Sequence, residues 1–211
     1  MPHIDFYFDF ASPYGYFMSE KIEELANQHG RSVTWRPILL FAALRSLGLS
    51  PPFEHPIKLD YITADFKRSA KFLGVDYRLP SAFPALTQHA ARAFYLLNEK
   101  APTSAVPYAH SVFRSYFRDS KDISNIEFIA QMVLDQTDSL GTRPVIVELL
   151  KSDATKSLLN SAIDAAVENR VFGSPFIIID GESFFGADRL PQIAQKLALI
   201  ARFRDDSPTG D

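Results

Sequence analysis

Residues 4 to 17 read Ile-Asp-Phe-Tyr-Phe-Asp-Phe-Ala-Ser-Pro-Tyr-Gly-Tyr-Phe, and the hydrophobic period changes within them. Ile4, Phe6, Phe8 and Phe10 alternate with Asp5, Tyr7 and Asp9, the two-residue period of a strand, and beyond Ser12 the apolar positions take helical spacing. A strand therefore passes straight into a helix. Serine is a favoured N-cap and proline a favoured first helical residue, so Ser12-Pro13 places a hydroxyl among unpaired backbone N–H groups at the positive end of a helix dipole. Such an end attracts an anion. Ser-Pro also opens many helices that do no chemistry, so the meaning of Ser12 depends on the rest of the chain. The helix is expected to run as one piece to about Gln28, with Met18, Ile22, Leu25 and Ala26 on its apolar face and Gly30 as its stop.

Val33, Trp35 and Ile38 predict a second strand over 32–38, parallel to the first because a helix separates them, and Pro37 places it near an edge. Phe41-Ala-Ala-Leu-Arg45 is a short helical pattern, followed by Gly48, Pro51, Pro52 and Pro56, which read as a loop. Helical spacing returns over about 57–73, where Lys58, Tyr61 and Asp65 share one face. Further helices are expected over 85–98, 106–117, 126–135, 144–150 and 154–169. Their aromatics Phe94, Tyr95, Tyr108, Phe113, Tyr116 and Phe117 suit core packing better than a ligand cleft. Order reverses at residue 171. Phe176 to Asp180 is an apolar run fit for a buried strand, Asp180-Gly181 a hairpin turn, and Ser183 to Phe185 the returning strand. After Asp188, a closing helix carries Leu190, Ile193, Ala194, Leu197 and Ile200, and 202–211 reads as a frayed tail. Neither β-containing end buries enough surface alone, so the two are expected to fold together around a helical insertion.

Composition narrows the chemistry. The 211 residues hold 22 Lys+Arg against 25 Asp+Glu, with the basic residues scattered, which argues against nucleic acid as a partner. No apolar run approaches the roughly 18 residues of a membrane span, and a cytoplasmic protein that does not bind membranes is expected. There is no cysteine, which excludes disulfides and a thiol nucleophile belonging to the chain. The five histidines lack paired ligand spacing, so no metal is expected. A serine hydrolase is disfavoured because Ser12 has no Gly-x-Ser-x-Gly context.

A strand feeding a helix through Ser12-Pro13-Tyr14-Gly15, a helical insertion, and Gly173-Ser174-Pro175 before a hairpin together resemble the α/β thioredoxin fold of the DsbA type, a thioredoxin-like core with a large all-helical insertion. In that resemblance Ser12 and Gly15 stand where two cysteines would, and Pro175 where a cis-proline faces them. Residues 1–38 and 171–203 are then the discontinuous thioredoxin-like domain, 39–170 the helical insertion and 204–211 a flexible tail. The Phe-Tyr-Phe-Asp-Phe-Ala-Ser-Pro-Tyr and Val-Phe-Gly-Ser-Pro-Phe stretches, with Gly-Glu-Ser-Phe-Phe-Gly-Ala-Asp-Arg-Leu, are most similar to the 2-hydroxychromene-2-carboxylate isomerases, relatives of the kappa-class glutathione transferases.

The resemblance implies glutathione as cofactor, with Ser12 stabilising its thiolate. It implies that the main chain of Ser174, before Pro175, pairs with the cysteinyl backbone, and that Asp188 with the backbone of Ala187 holds the γ-glutamyl group. Lys58 and Asp65 would line the glutathione end of the cleft. Where the kappa pattern often carries serine before the last Asp, this chain has Ala187, and no Asn counterpart is evident near Ser50. Tyr14, Lys58 and Tyr61 are candidates for contact with a small aromatic carboxylate substrate, with Lys67 and Arg68 as weaker partners for its carboxylate. The implied reaction interconverts 2-hydroxychromene-2-carboxylate and trans-o-hydroxybenzylidenepyruvate in naphthalene-type degradation. A thiolate adds reversibly to the conjugated system, a bond rotates, and elimination restores the double bond. A homodimer is also implied. Alternatives are a kappa-like transferase that conjugates electrophiles and a non-catalytic, cysteine-free binding protein of the same fold.

Overall fold

The computed structural model describes residues 3–50 and 56–205; part of the expected proline loop and the last six residues of the tail lie outside them. Strand β1 (His3–Phe8) leads through Ser12 into α1 (Pro13–Ser19) and α2 (Ile22–Gln28), and β2 (Ser32–Pro37) follows. Seven helices come next: α3 (Leu40–Ser46), α4 (Pro56–Leu73), α5 (Gln88–Lys100), α6 (Pro102–Phe117), α7 (Ile126–Leu134), α8 (Arg143–Lys151) and α9 (Asp153–Glu168). Strands β3 (Phe176–Ile179) and β4 (Glu182–Phe185), a 3₁₀ turn over Ala187–Arg189 and α10 (Leu190–Asp205) close the chain.

The sheet has the order β2-β1-β3-β4, with β1 parallel to β2 and antiparallel to β3. Phe6 stands opposite Trp35 on one side and Ile177 on the other, so β1 is central and Pro37 lies on an edge strand, where a missing N–H is tolerated. Asp180 and Gly181 both have positive φ, 49° and 81°, the geometry that an Asp-Gly hairpin turn requires. Arg31, buried before β2, holds the Asp180 carboxylate with two bonds of 3.0 and 2.7 Å.

The single helix expected after Ser12 is two helices. Ser19 is buried, and its hydroxyl donates to the Tyr16 carbonyl at 2.7 Å; the backbone bond from Glu20 to that same carbonyl stretches to 3.3 Å. A side chain competing for its own turn's carbonyl weakens the helical ladder, and the chain breaks there. At the other end, α10 continues to Asp205, past the residue where fraying was expected.

Both faces of the sheet are covered. Ile4, Phe6 and Phe8 join one large cluster that also takes in α1, α5, α6 and α7, while Tyr7 points the opposite way into a second cluster with Leu159 and Ile163 of α9. Phe113 of α6 lies 5.2 Å from the Phe8 ring and 5.0 Å from that of Phe10, and Phe117 stacks on Tyr16 at 5.5 Å. The insertion and the sheet thus share one core. Each such aromatic contributes about 1.5–3 kcal/mol by burial. The insertion's aromatics are therefore packing residues: Tyr108, Phe113, Tyr116 and Phe117 are all fully buried. No helix among the described residues is long and apolar enough to cross a membrane.

Candidate active site at the start of α1

Ser12 has the extended backbone of an N-cap, and its Oγ accepts the Gly15 N–H at 3.1 Å. The same hydroxyl donates to the Ser174 carbonyl at 2.9 Å, across the start of β3. Ser174 is buried; its own hydroxyl accepts the Asp9 N–H at 2.9 Å, and its bond to Pro175 is cis. These bonds join the ends of the chain at one point. Gly15 keeps that point open, since a Cβ there would stand 3.1 Å from Ser174 Oγ and 3.4 Å from Ser12 Oγ.

A cavity of about 630 Å³ opens beside Ser12, of a size that suits a small organic ligand. Most of its wall is apolar: Leu40 and Leu44 from α3, Phe66 from α4, and Leu86 ahead of α5. Phe172 and Phe185, 5.1 Å apart and about half exposed, stand at its β3–β4 side. The Phe185 ring lies so close over Gly173 that a Cβ there would force the ring to move.

Only two charged residues line the cavity among those described, Asp9 and Arg45. Asp9 accepts the Ala11 N–H at 2.9 Å and the Thr87 hydroxyl at 2.7 Å on one oxygen, and the Leu40 N–H at 2.9 Å on the other. It therefore ties β1 to the first residues of α3 and to the residue before α5. Burial pushes its carboxyl above the usual carboxylate range, and the bonds from Ala11, Leu40 and Thr87 oppose that push.

The residues anticipated from sequence do not all gather here. Ser12, Tyr14 and Ser174 line the cavity. Tyr14 donates to Asp65 at 2.5 Å; burial, then this bond and the Asp65 charge, push its phenol far up, so it stays protonated. Asp65 also accepts from Arg68 at 2.7 Å and Ser69 at 3.1 Å, which makes it the anchor of Tyr14. Lys58 is exposed on α4 and not part of the cavity wall. Tyr61, 62% exposed, lies under the Arg68 guanidinium at 5.8 Å instead of turning inward. Lys67 borders a separate groove between α4 and residues 79–83. The cation on the cavity wall is Arg45 of α3. Asp188 is exposed in the 3₁₀ turn, paired with Arg189, and Ala187 beside it is buried. The Gly186 N–H donates to the Pro175 carbonyl at 3.1 Å, which links this turn to Ser174-Pro175.

Sequence reasoning missed Asp9, Thr87 and Arg45. Asp9 alternates with the strand's apolar residues and so reads as solvent-facing; nothing in β1 alone reveals that α3 and α5 converge on it.

A family model for the DSBA-like thioredoxin domain matches residues 3–198. The 2-hydroxychromene-2-carboxylate isomerase of Pseudomonas putida is 27% identical over 206 residues, covering 96% of this chain and 98% of that protein. Glutathione S-transferase kappa 1 of Caenorhabditis elegans is 28% identical over 209 residues, covering 93% of this chain and 91% of that one. A solved structure of 2-hydroxychromene-2-carboxylate isomerase superposes with a TM-score of 0.84 at 25% identity, covering 97% of this chain and 98% of that chain. The chain belongs to the DSBA-like thioredoxin domain family, within which it is similar in sequence and fold to the 2-hydroxychromene-2-carboxylate isomerases.

Proposed function

We propose that the protein is a glutathione-dependent isomerase that interconverts 2-hydroxychromene-2-carboxylate and trans-o-hydroxybenzylidenepyruvate. The observation that carries the reading is Ser12 itself: a hydroxyl at a helix N-terminus, beside a cis Ser174–Pro175 bond, facing an apolar cavity, in a chain without cysteine. The pocket suits the tripeptide. Gly15 leaves space at the hydroxyl that a Cβ would take, and among the described residues the Ser174 carbonyl is held by one neutral bond, from Ser12. Glutathione, when bound, supplies the thiol that the chain lacks, a nucleophile that adds reversibly to a conjugated double bond.

The protein's own groups do the rest. Ser12 turns its proton from the Ser174 carbonyl to the sulfur anion, while the α1 dipole favours the charge. The Ser174 main chain is thereby released to pair with an extended ligand backbone. In this reading Asp188, which lies outside the cavity, holds the cationic amine of the tripeptide, and the apolar space is left to the second substrate. Tyr14, fixed by Asp65, forms part of the wall and moves no proton.

The test is a spectrophotometric isomerisation assay on 2-hydroxychromene-2-carboxylate with and without glutathione. Turnover that requires glutathione is the expected result. Conjugation of electrophiles without isomerisation would favour the transferase reading, to which the similarity with the Caenorhabditis elegans protein lends support. Glutathione binding with no turnover on any electrophile would leave a binding protein.

A further inference from the structure

Arg45 sits in the last turn of α3, the usual place for a cation that complements the dipole and caps the final carbonyls. That role is already filled by backbone. Leu47 donates to the Ala43 carbonyl at 3.0 Å, Leu49 to Leu44 at 2.9 Å, and Gly48, with φ of 70°, to Arg45 at 3.1 Å. The turn closes on itself and leaves the guanidinium unused. Among the described residues Arg45 enters no ion pair and no side-chain hydrogen bond, although it is exposed and lines the cavity. The other charged residue of the wall, Asp9, has its oxygens taken up by three donors.

Among the described residues the cavity therefore presents one uncommitted charge, and it is positive. Around it the surface is apolar: Phe41 precedes Arg45 by one helical turn, Leu49 follows it, and Leu86 faces from ahead of α5, all three lining the cavity with side chains at least a third exposed. Solvent-exposed apolar side chains grouped about a single cation match a ligand with a flat apolar body and one anionic end. A guanidinium, with its planar fork of donors, is the group that recognises a carboxylate with two parallel bonds.

We propose that Arg45 anchors the carboxylate of an aromatic substrate, and that Ser12 and Arg45 mark the reactive and the recognition ends of the cavity. The assignment rests on the reading of this cavity as the place of the second substrate beside Ser12. It makes Arg45 the residue that selects aromatic acids over neutral aromatics of the same shape, a task that the exposed Lys58 is not positioned to do.

The test uses binding, so that it does not depend on turnover. Titration calorimetry compares 2-naphthoate with its neutral isostere 2-naphthamide on the wild type, Arg45→Gln and Arg45→Lys, and measures glutathione affinity on each. The wild type is expected to prefer the acid by about ten- to a hundredfold, the range of a hydrogen bond to a charged group. Arg45→Gln is expected to erase that preference by weakening only the acid, Arg45→Lys to keep part of it, and glutathione affinity to be the same in all three. A preference that survives Arg45→Gln, or none in the wild type, overturns the assignment. A matching loss of glutathione affinity in Arg45→Gln also overturns it, because the arginine then serves the tripeptide. A wild type that binds 2-naphthoate through Arg45 but has no affinity for glutathione sinks the proposed function and leaves the anchor standing.

Discussion

The two ends of α1 lie about 10 Å apart along its axis and are built from opposite materials. At the N-terminal end the bonds that hold Ser12 are neutral: its hydroxyl meets the Ser174 carbonyl and the Gly15 N–H, each bond worth about 0.5–1.5 kcal/mol, and the Asp9 carboxylate stands behind them in the wall. At the C-terminal end they are charged. Glu20 takes two bonds from Arg114 of α6, at 2.9 and 2.8 Å, and His110 lies 3.6 Å from Glu20 and 3.5 Å from Glu23, with the Trp35 ring on its edge. Burial pushes the Glu20 carboxyl up, but His110 and Arg114 outweigh it and hold it at about 2. Burial pulls His110 down, and the two glutamates outweigh that and raise it. The contrast separates fastening from function. Charges fasten the insertion to the core at the C-terminal end of α1, while the proposed working end holds Ser12 by weak neutral bonds of the kind a ligand can replace.

Substitutions at each end should sharpen that division. The largest effect is expected from Ser12→Ala, a fall of about 10²–10³-fold in turnover, the usual consequence of removing one donor to a developing or resident anion. Its cost in stability is the lost cap and the lost bond to the Ser174 carbonyl, about 2 kcal/mol together, so thermal melting should shift by a few degrees while the rate falls by orders of magnitude. If the melting temperature collapsed along with the rate, the working end would be structural after all. Asp9→Asn tests the wall behind Ser12. An amide must turn one N–H toward a backbone donor, at a cost of about 1–3 kcal/mol, and the melting temperature should drop by several degrees, roughly 2–4 °C per kcal/mol. Retention of full stability would show that Asp9 does not tie α3 and α5 together.

Smaller effects belong to the charged end. Arg114→Ala should cost about 0.5–1 kcal/mol, because its side chain is 44% exposed and solvent screens the pair, and it should leave glutathione affinity unchanged. Loss of that affinity would mean that the two ends are coupled. The effect of His110→Gln is expected to depend on pH. A raised histidine contributes its full stabilisation below its unfolded value near 6.5 and loses it as pH rises through the folded value, so the stability gap between wild type and variant should be wide in mild acid and narrow in alkali. Glu20 works in the opposite sense. Its contribution is present above its ordinary 4.5 and is lost as pH falls toward about 2.

What the sequence disclosed follows the range of the interactions. Ser12-Pro13, the Asp180-Gly181 turn and the alternation of β1 are local signals, and each element stands where it reads. Ser19 broke the first helix because its hydroxyl found the Tyr16 carbonyl, a competition that spacing does not reveal. Within the site, Ser12 and Ser174 were legible through their motifs. Asp9 and Arg45 were not, because their significance comes from α3, which carries Arg45 along the cavity and whose first residues supply the Leu40 N–H to Asp9. Lys58 shows the converse: a persuasive helical face with Tyr61 and Asp65 whose other members turned to Arg68 and Tyr14.

The most direct test of the Ser12 assignment follows the thiolate absorbance of glutathione through a pH titration, free and bound to the wild type and to Ser12→Ala. Glutathione bound to the wild type should ionise at lower pH than free glutathione, and in Ser12→Ala most of that shift should vanish while the tripeptide still binds. A bound thiol that titrates as it does in solution, or identically in the two proteins, would contradict the assignment of Ser12 as the group that holds the sulfur anion.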